Sequence, residues 1–189
     1  MKTGSILITA VACLVFCSNS TTNGTQFACS PITSAQYEQL RRALLSTKGS
    51  FSQGWCVKRS GNVTSCSDTS LQSRHPGVDY GAGVGIPVYA PAGGTVVRVS
   101  KGSRCRTSKC LSTLAIYNEQ RDVTFVFLHM DSILVSVGGP PVNAGDQIGT
   151  VGQRGPASGP HLHYEVRPGR RTSASLCVSD TLNPYSSTF

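Results

Sequence analysis

Ser158-Gly159-Pro160-His161-Leu162-His163-Tyr164-Glu165-Val166 alternates polar and apolar side chains from His161 onward. In a strand, side chains at i and i+2 share a face, roughly 6.5–7 Å apart along the chain. His161, His163 and Glu165 therefore point one way, and Leu162, Tyr164 and Val166 the other. The apolar set faces a core and the polar set an opening. Two imidazoles side by side in an opening make either a metal site or a proton-transfer site.

The sequence before this stretch reads as more of the same architecture. Residues 87–99 read as strand, glycine turn, strand, with the turn at Gly93-Gly94. Residues 114–118 form a further strand, and residues 123–129 another that is apolar on both faces. Gly138-Gly139-Pro140-Pro141 is a turn, and residues 147–151 a short strand. Turns every 8–15 residues or so, with no alternating helices, favour a mainly β fold, a small antiparallel sandwich or barrel. The 189 residues suit one such domain plus appendages. Upstream, residues 31–48 read as one helix, with Ser34 as its cap and Tyr37, Leu40, Leu44 and Leu45 as its apolar stripe. Residues 49–74 are rich in Ser, Gly and Thr and read as loop. Residues 21–73 are thus a helical and loop extension, held by disulfides, ahead of a β domain over 74–189.

Residues 1–20 read as a secretory signal peptide: Lys2, an apolar run over 6–16, then Ser18 and Ser20 at a cleavage site. The run is short of the roughly 20 residues a membrane span needs, and no later stretch is apolar enough. A secreted, extracellular monomer is expected. Six cysteines then remain (Cys29, Cys56, Cys66, Cys105, Cys110 and Cys177), an even set that implies disulfides. Cys105 and Cys110 are the natural local pair, closing a basic turn. Sequons occur at Asn19, Asn23 and Asn62. The net charge is +8, spread without a run of like charges, which argues against a nucleic-acid stripe and suits attraction to acidic surfaces.

Four histidines occur in all, His75, His129, His161 and His163. His75 is followed four residues later by Asp79. Zinc takes imidazole nitrogen and carboxylate oxygen, and a catalytic site keeps one position open for water. Four histidines and one aspartate supply three ligands and two helpers for proton transfer and oxyanion stabilisation.

His75-Pro76-Gly77-Val78-Asp79-Tyr80 and the following Gly85 to Val97 stretch resemble the zinc-site region of the lysostaphin-like M23 metallopeptidases. Phe127-Leu128-His129-Met130, Gly145-Asp146-Gln147-Ile148-Gly149 and Ser158-Gly159-Pro160-His161-Leu162-His163 resemble further motifs of that family. The resemblance spans about residues 74–168. It implies the lysostaphin-like β fold, zinc as cofactor, and His75, Asp79 and His163 as its ligands. It implies His129 and His161 as the catalytic pair, and the peptides of bacterial peptidoglycan as substrate, for bacteriolysis or wall remodelling. In some members an Asn of a prosegment fills the fourth zinc position, and Asn62 is the residue available for that here. The cysteines and leader also resemble the secreted vertebrate chemotaxin related to this family. That likeness implies the alternative of a non-catalytic zinc-binding signalling or glycan-binding module.

Overall fold

The computed structural model describes residues 29–45, 49–57 and 74–189. The leader over 1–20, the three sequons, Cys66 and the proposed role of Asn62 all lie outside the described residues. Among the described residues no helix is long and apolar enough to cross a membrane.

The described residues form one α-helix, α1 (Ser34–Leu45), and nine strands. These are β1 (Ser50–Gln53), β2 (Val78–Gly81), β3 (Pro87–Tyr89), β4 (Thr95–Ser100), β5 (Thr113–Asn118), β6 (Val123–Leu128), β7 (Ser132–Ile133), β8 (Gln147–Thr150) and β9 (His161–Pro168). Six strands make one antiparallel sheet in the order β1-β2-β9-β6-β5-β4, and three make a second in the order β3-β8-β7.

The alternation of β9 places Leu162, Tyr164 and Val166 in the main core, with no exposed surface. They meet Val78 and Tyr80 of β2, Phe125 and Phe127 of β6, Val88 of β3 and Ile148 of β8. β6 lies between β9 and β5, and all six of its residues are buried. Its Val126 and Leu128 belong to a second apolar cluster on the other face, with Val97 and Ala115. That two-sided burial is why its sequence runs apolar instead of alternating.

Residues 87–99 contain two strands, as expected, but they are not a hairpin. β3 pairs with β8 and β4 with β5, so the chain crosses from one sheet to the other at the glycines. A side chain at Gly94 would meet the Tyr117 carbonyl oxygen at 2.4 Å, so the crossing runs hard against β5.

The apolar stripe of α1 is buried as expected, with Leu40 and Leu44 fully inside. Twelve residues are too few for a stable isolated helix. Burying such leucines, at roughly 2 kcal/mol each, is what holds it. Its cap is Thr33, not Ser34. The Thr33 hydroxyl accepts the Gln36 N–H at 3.3 Å, and the Gln36 side-chain oxygen accepts the Thr33 N–H at 2.9 Å, a reciprocal capping box. Residues 49–57 are not plain loop: β1 adds an edge strand to the large sheet through β2. Phe51 stacks on Tyr37 with ring centroids 4.4 Å apart, and Trp55 is buried with its indole N–H on the Thr181 hydroxyl at 3.0 Å. Disulfides join Cys29 to Cys56 and, as expected, Cys105 to Cys110.

Candidate active site

β2 and β9 are paired so that Asp79 lies opposite His163, and paired residues share a face of the sheet. The Asp79 carboxylate is 2.7 Å from Nδ1 of His163. His75, just before β2, brings its Nε2 to 3.3 Å from the same carboxylate and 3.2 Å from Nδ1 of His163. The ligand atoms of all three residues lie within 4.8 Å of one another. Ligands about 2 Å from a tetrahedral zinc ion stand about 3.3 Å apart. Two imidazole nitrogens and one carboxylate oxygen at these spacings fit that ion.

Each imidazole is oriented through its other nitrogen. His75 Nδ1 donates to the Gly54 carbonyl oxygen at 3.1 Å, which leaves Nε2 bare toward the site. The His75 backbone accepts from Cys56 N–H at 2.8 Å and donates to the Val57 carbonyl at 2.9 Å. Residues 54–57 therefore fix this ligand three times over, although their sequence carries no mark of the role. His163 Nε2 donates to Glu165 Oε1 at 2.9 Å. Glu165 is fully buried, and its other oxygen accepts the Ser175 N–H at 2.9 Å. The alternation of β9 put Glu165 on the right face, but a carboxylate there is more often an exposed one. Burial by residues after β9 made it a partner of the His163 imidazole.

Gly77, in the His75-Pro76-Gly77-Val78-Asp79 turn, packs against this ring. A side chain there would sit 2.4 Å from the Tyr164 carbonyl oxygen and 2.8 Å from His163 Nε2.

His129 and His161 lie beside the three ligands, their rings 4.5 Å apart. His161 opens β9, and its Nδ1 donates to the Gly159 carbonyl at 2.9 Å. Its Nε2 comes within 3.9 Å of Asp79. His129 follows β6 in a left-handed conformation, φ 64°, that side-chain-bearing residues seldom adopt. Its Nδ1 donates to the Arg154 carbonyl at 2.8 Å. Asp131 bonds no histidine. It accepts from the Arg154 guanidinium at 3.0 and 3.2 Å, and so steadies the residue that orients His129. All five residues singled out in the sequence thus meet in one place.

The charges follow from burial and proximity. Burial pushes the Asp79 carboxyl up, but the His163 and His75 imidazoles outweigh it and hold it well below the usual carboxylate range. Burial opposes a proton on His163, yet Asp79 and Glu165 on either side prevail and raise it to about 10 in the metal-free protein. A cation entering the site therefore replaces a proton on Nδ1. Burial lowers His75, against the pull of Asp79. Burial also lowers His129 to about 4, so its Nε2 is a bare acceptor at neutral pH.

The five residues line a groove of about 770 Å³. The model of peptidase family M23 matches residues 73–175. A peptidoglycan DD-endopeptidase of Vibrio cholerae, ShyB, is 32% identical over 113 residues, 58% of this chain and 25% of that protein. The chain spans about a fifth to a quarter of the length of the curated relatives it matches. Among solved structures, a zinc-containing peptidase from Vibrio cholerae is 27% identical, with a TM-score of 0.56 over 76% of this chain and 38% of that one. The catalytic domain of lysostaphin from Staphylococcus simulans shares the fold at 23% identity and a TM-score of 0.56, over 74% of this chain and 92% of that one.

Proposed function

The chain belongs to peptidase family M23, and from that premise we propose that it is a secreted zinc endopeptidase that cuts peptide bonds of bacterial peptidoglycan, for bacteriolysis or wall remodelling. The observation that carries this reading is the convergence of His75, Asp79 and His163 on one point, with His129 and His161 beside it in the same groove. Zinc held by the three ligands would supply a Lewis acid and bring its water close to neutral pKa. His129, neutral and with its Nε2 bare, is the residue placed to accept a proton from a water in the groove as the scissile carbonyl is attacked. His161 presents its Nε2 next to Asp79, on the side of the groove where charge would develop on the scissile carbonyl oxygen. Both rings are held at Nδ1 by backbone carbonyls, so neither has to turn to act. The peptidoglycan substrate follows the named activity of the ShyB relative. Secretion follows the leader pattern at residues 1–20 and the disulfides, which persist in oxidising compartments.

The purified protein should clear a peptidoglycan zymogram, lose that activity to a chelator and regain it with zinc. His129→Ala and His161→Ala should each lower kcat by about 10²–10⁴-fold while zinc content stays at one per chain. Folded, zinc-loaded protein that is inert on several wall types would refute the proposal.

A further inference from the structure

The strand pairing draws a straight line across the large sheet. Asp79 faces His163, His163 faces Leu128, Leu128 faces Thr113 and Thr113 faces Ser100. Paired residues share a face, and all five line the groove. The groove therefore runs across the strands, from the metal-ligand residues on β2 and β9 to the edge strand β4. Three strand spacings separate β9 from β4, about 14 Å in all. That is the length of about four residues of extended peptide.

The far end of the line is cationic. Arg98, on β4 and on the same face as Ser100, lines the groove. Lys109 lines it from the loop that the Cys105–Cys110 disulfide closes. Both are exposed, and neither has an ion-pair partner among the described residues. The acidic residues lining the groove are Asp79 and Glu165, and both are engaged with histidines at the other end.

We infer that the groove binds its peptide across the strands with a free carboxylate about four residues to the β4 side of the scissile bond, held by Arg98 and Lys109. This rests on the peptidase reading and names what that site selects. The disulfide closes the short loop that carries Lys109 and narrows the conformations open to it.

The test compares native peptidoglycan with the same material after its carboxyls have been amidated. Wild-type protein should hydrolyse the native wall with a KM about tenfold lower, the range of one charge-assisted contact, at similar kcat. Arg98→Gln/Lys109→Gln should lose that preference with its zinc content intact. Arg42→Gln/Arg170→Gln, with the same change in charge away from the groove, should keep it. Equal KM values for the two walls would overturn the inference, as would a preference that both double variants lose alike. If neither wall is cleaved, the peptidase reading falls, and co-sedimentation of zinc-loaded protein with the two walls decides the subsite alone. Binding that favours the native wall only while Arg98 and Lys109 are present sustains it; equal binding ends it.

Discussion

Glu165 shows how much one buried side chain can decide. It spends one oxygen on His163 and the other on the Ser175 amide, so it has no freedom to turn away. A carboxylate there holds the N–H at Nε2, and would leave Nδ1 to a metal and make the ring a stronger ligand. Glu165→Gln should weaken zinc binding by about 10–100-fold, read by competition against a chromogenic chelator. An unchanged affinity would leave Glu165 with a packing role only. His129 gives a pH signature. Its unfolded value is near 6.5, and burial brings it to about 4 in the folded protein. The unfolded chain takes up the proton first as pH falls, so this stabilisation is complete above about pH 6.5 and is lost on the way down to 4. Zinc-free wild type should lose about 3 kcal/mol relative to His129→Gln between pH 7 and 4 in urea unfolding. Parallel pH profiles for the two proteins would contradict it.

At the scale of elements, the helix and β1 do more than decorate the sheet. α1 buries its leucines in the main core, while β1 and the residues after it clamp His75. The helix start is a sharp test. Thr33→Ala removes the hydroxyl of the capping box and should cost about 1 kcal/mol in denaturant midpoint experiments, whereas Ser34→Ala should cost little. A larger loss at Ser34 would mean that the helix begins one residue later. Two adjacent hydroxyl residues, Thr33 and Ser34, made the cap ambiguous in the sequence. What resolved it was the reach of Gln36 back to Thr33, a contact set by backbone geometry. β1 escaped notice because its Ser-Phe-Ser-Gln carries a single apolar side chain. Its stability comes from pairing with β2, which no local pattern reports.

On the scale of the whole molecule, the large sheet separates two jobs. One face packs the main core, and the other carries the ligands, the groove and a smaller apolar cluster. The site face gathers Asp79, His163 and Glu165 in little exposed space, with His75 beside them, an arrangement that a bound cation would stabilise. Chelation should therefore lower Tm, and zinc at a thousandfold excess over its Kd should restore about 4 kcal/mol. A melting curve indifferent to chelator and zinc would mean that His75, Asp79 and His163 hold no ion.

By itself the sequence determined the period-two face of β9, the two-sided burial of β6, the apolar stripe of α1 and the short loop closed by Cys105 and Cys110. It also marked the four histidines and Asp79 as candidates, because zinc chemistry and proton transfer draw on imidazole and carboxylate side chains. Each of these is a local pattern or an uncommon residue type. Only the tertiary structure decided that β3 and β4 part into different sheets, that residues 54–57 hold His75, and that Glu165 is buried against His163. Those contacts join segments distant in sequence or depend on what covers them, and long-range packing leaves no periodic trace in the chain that makes it.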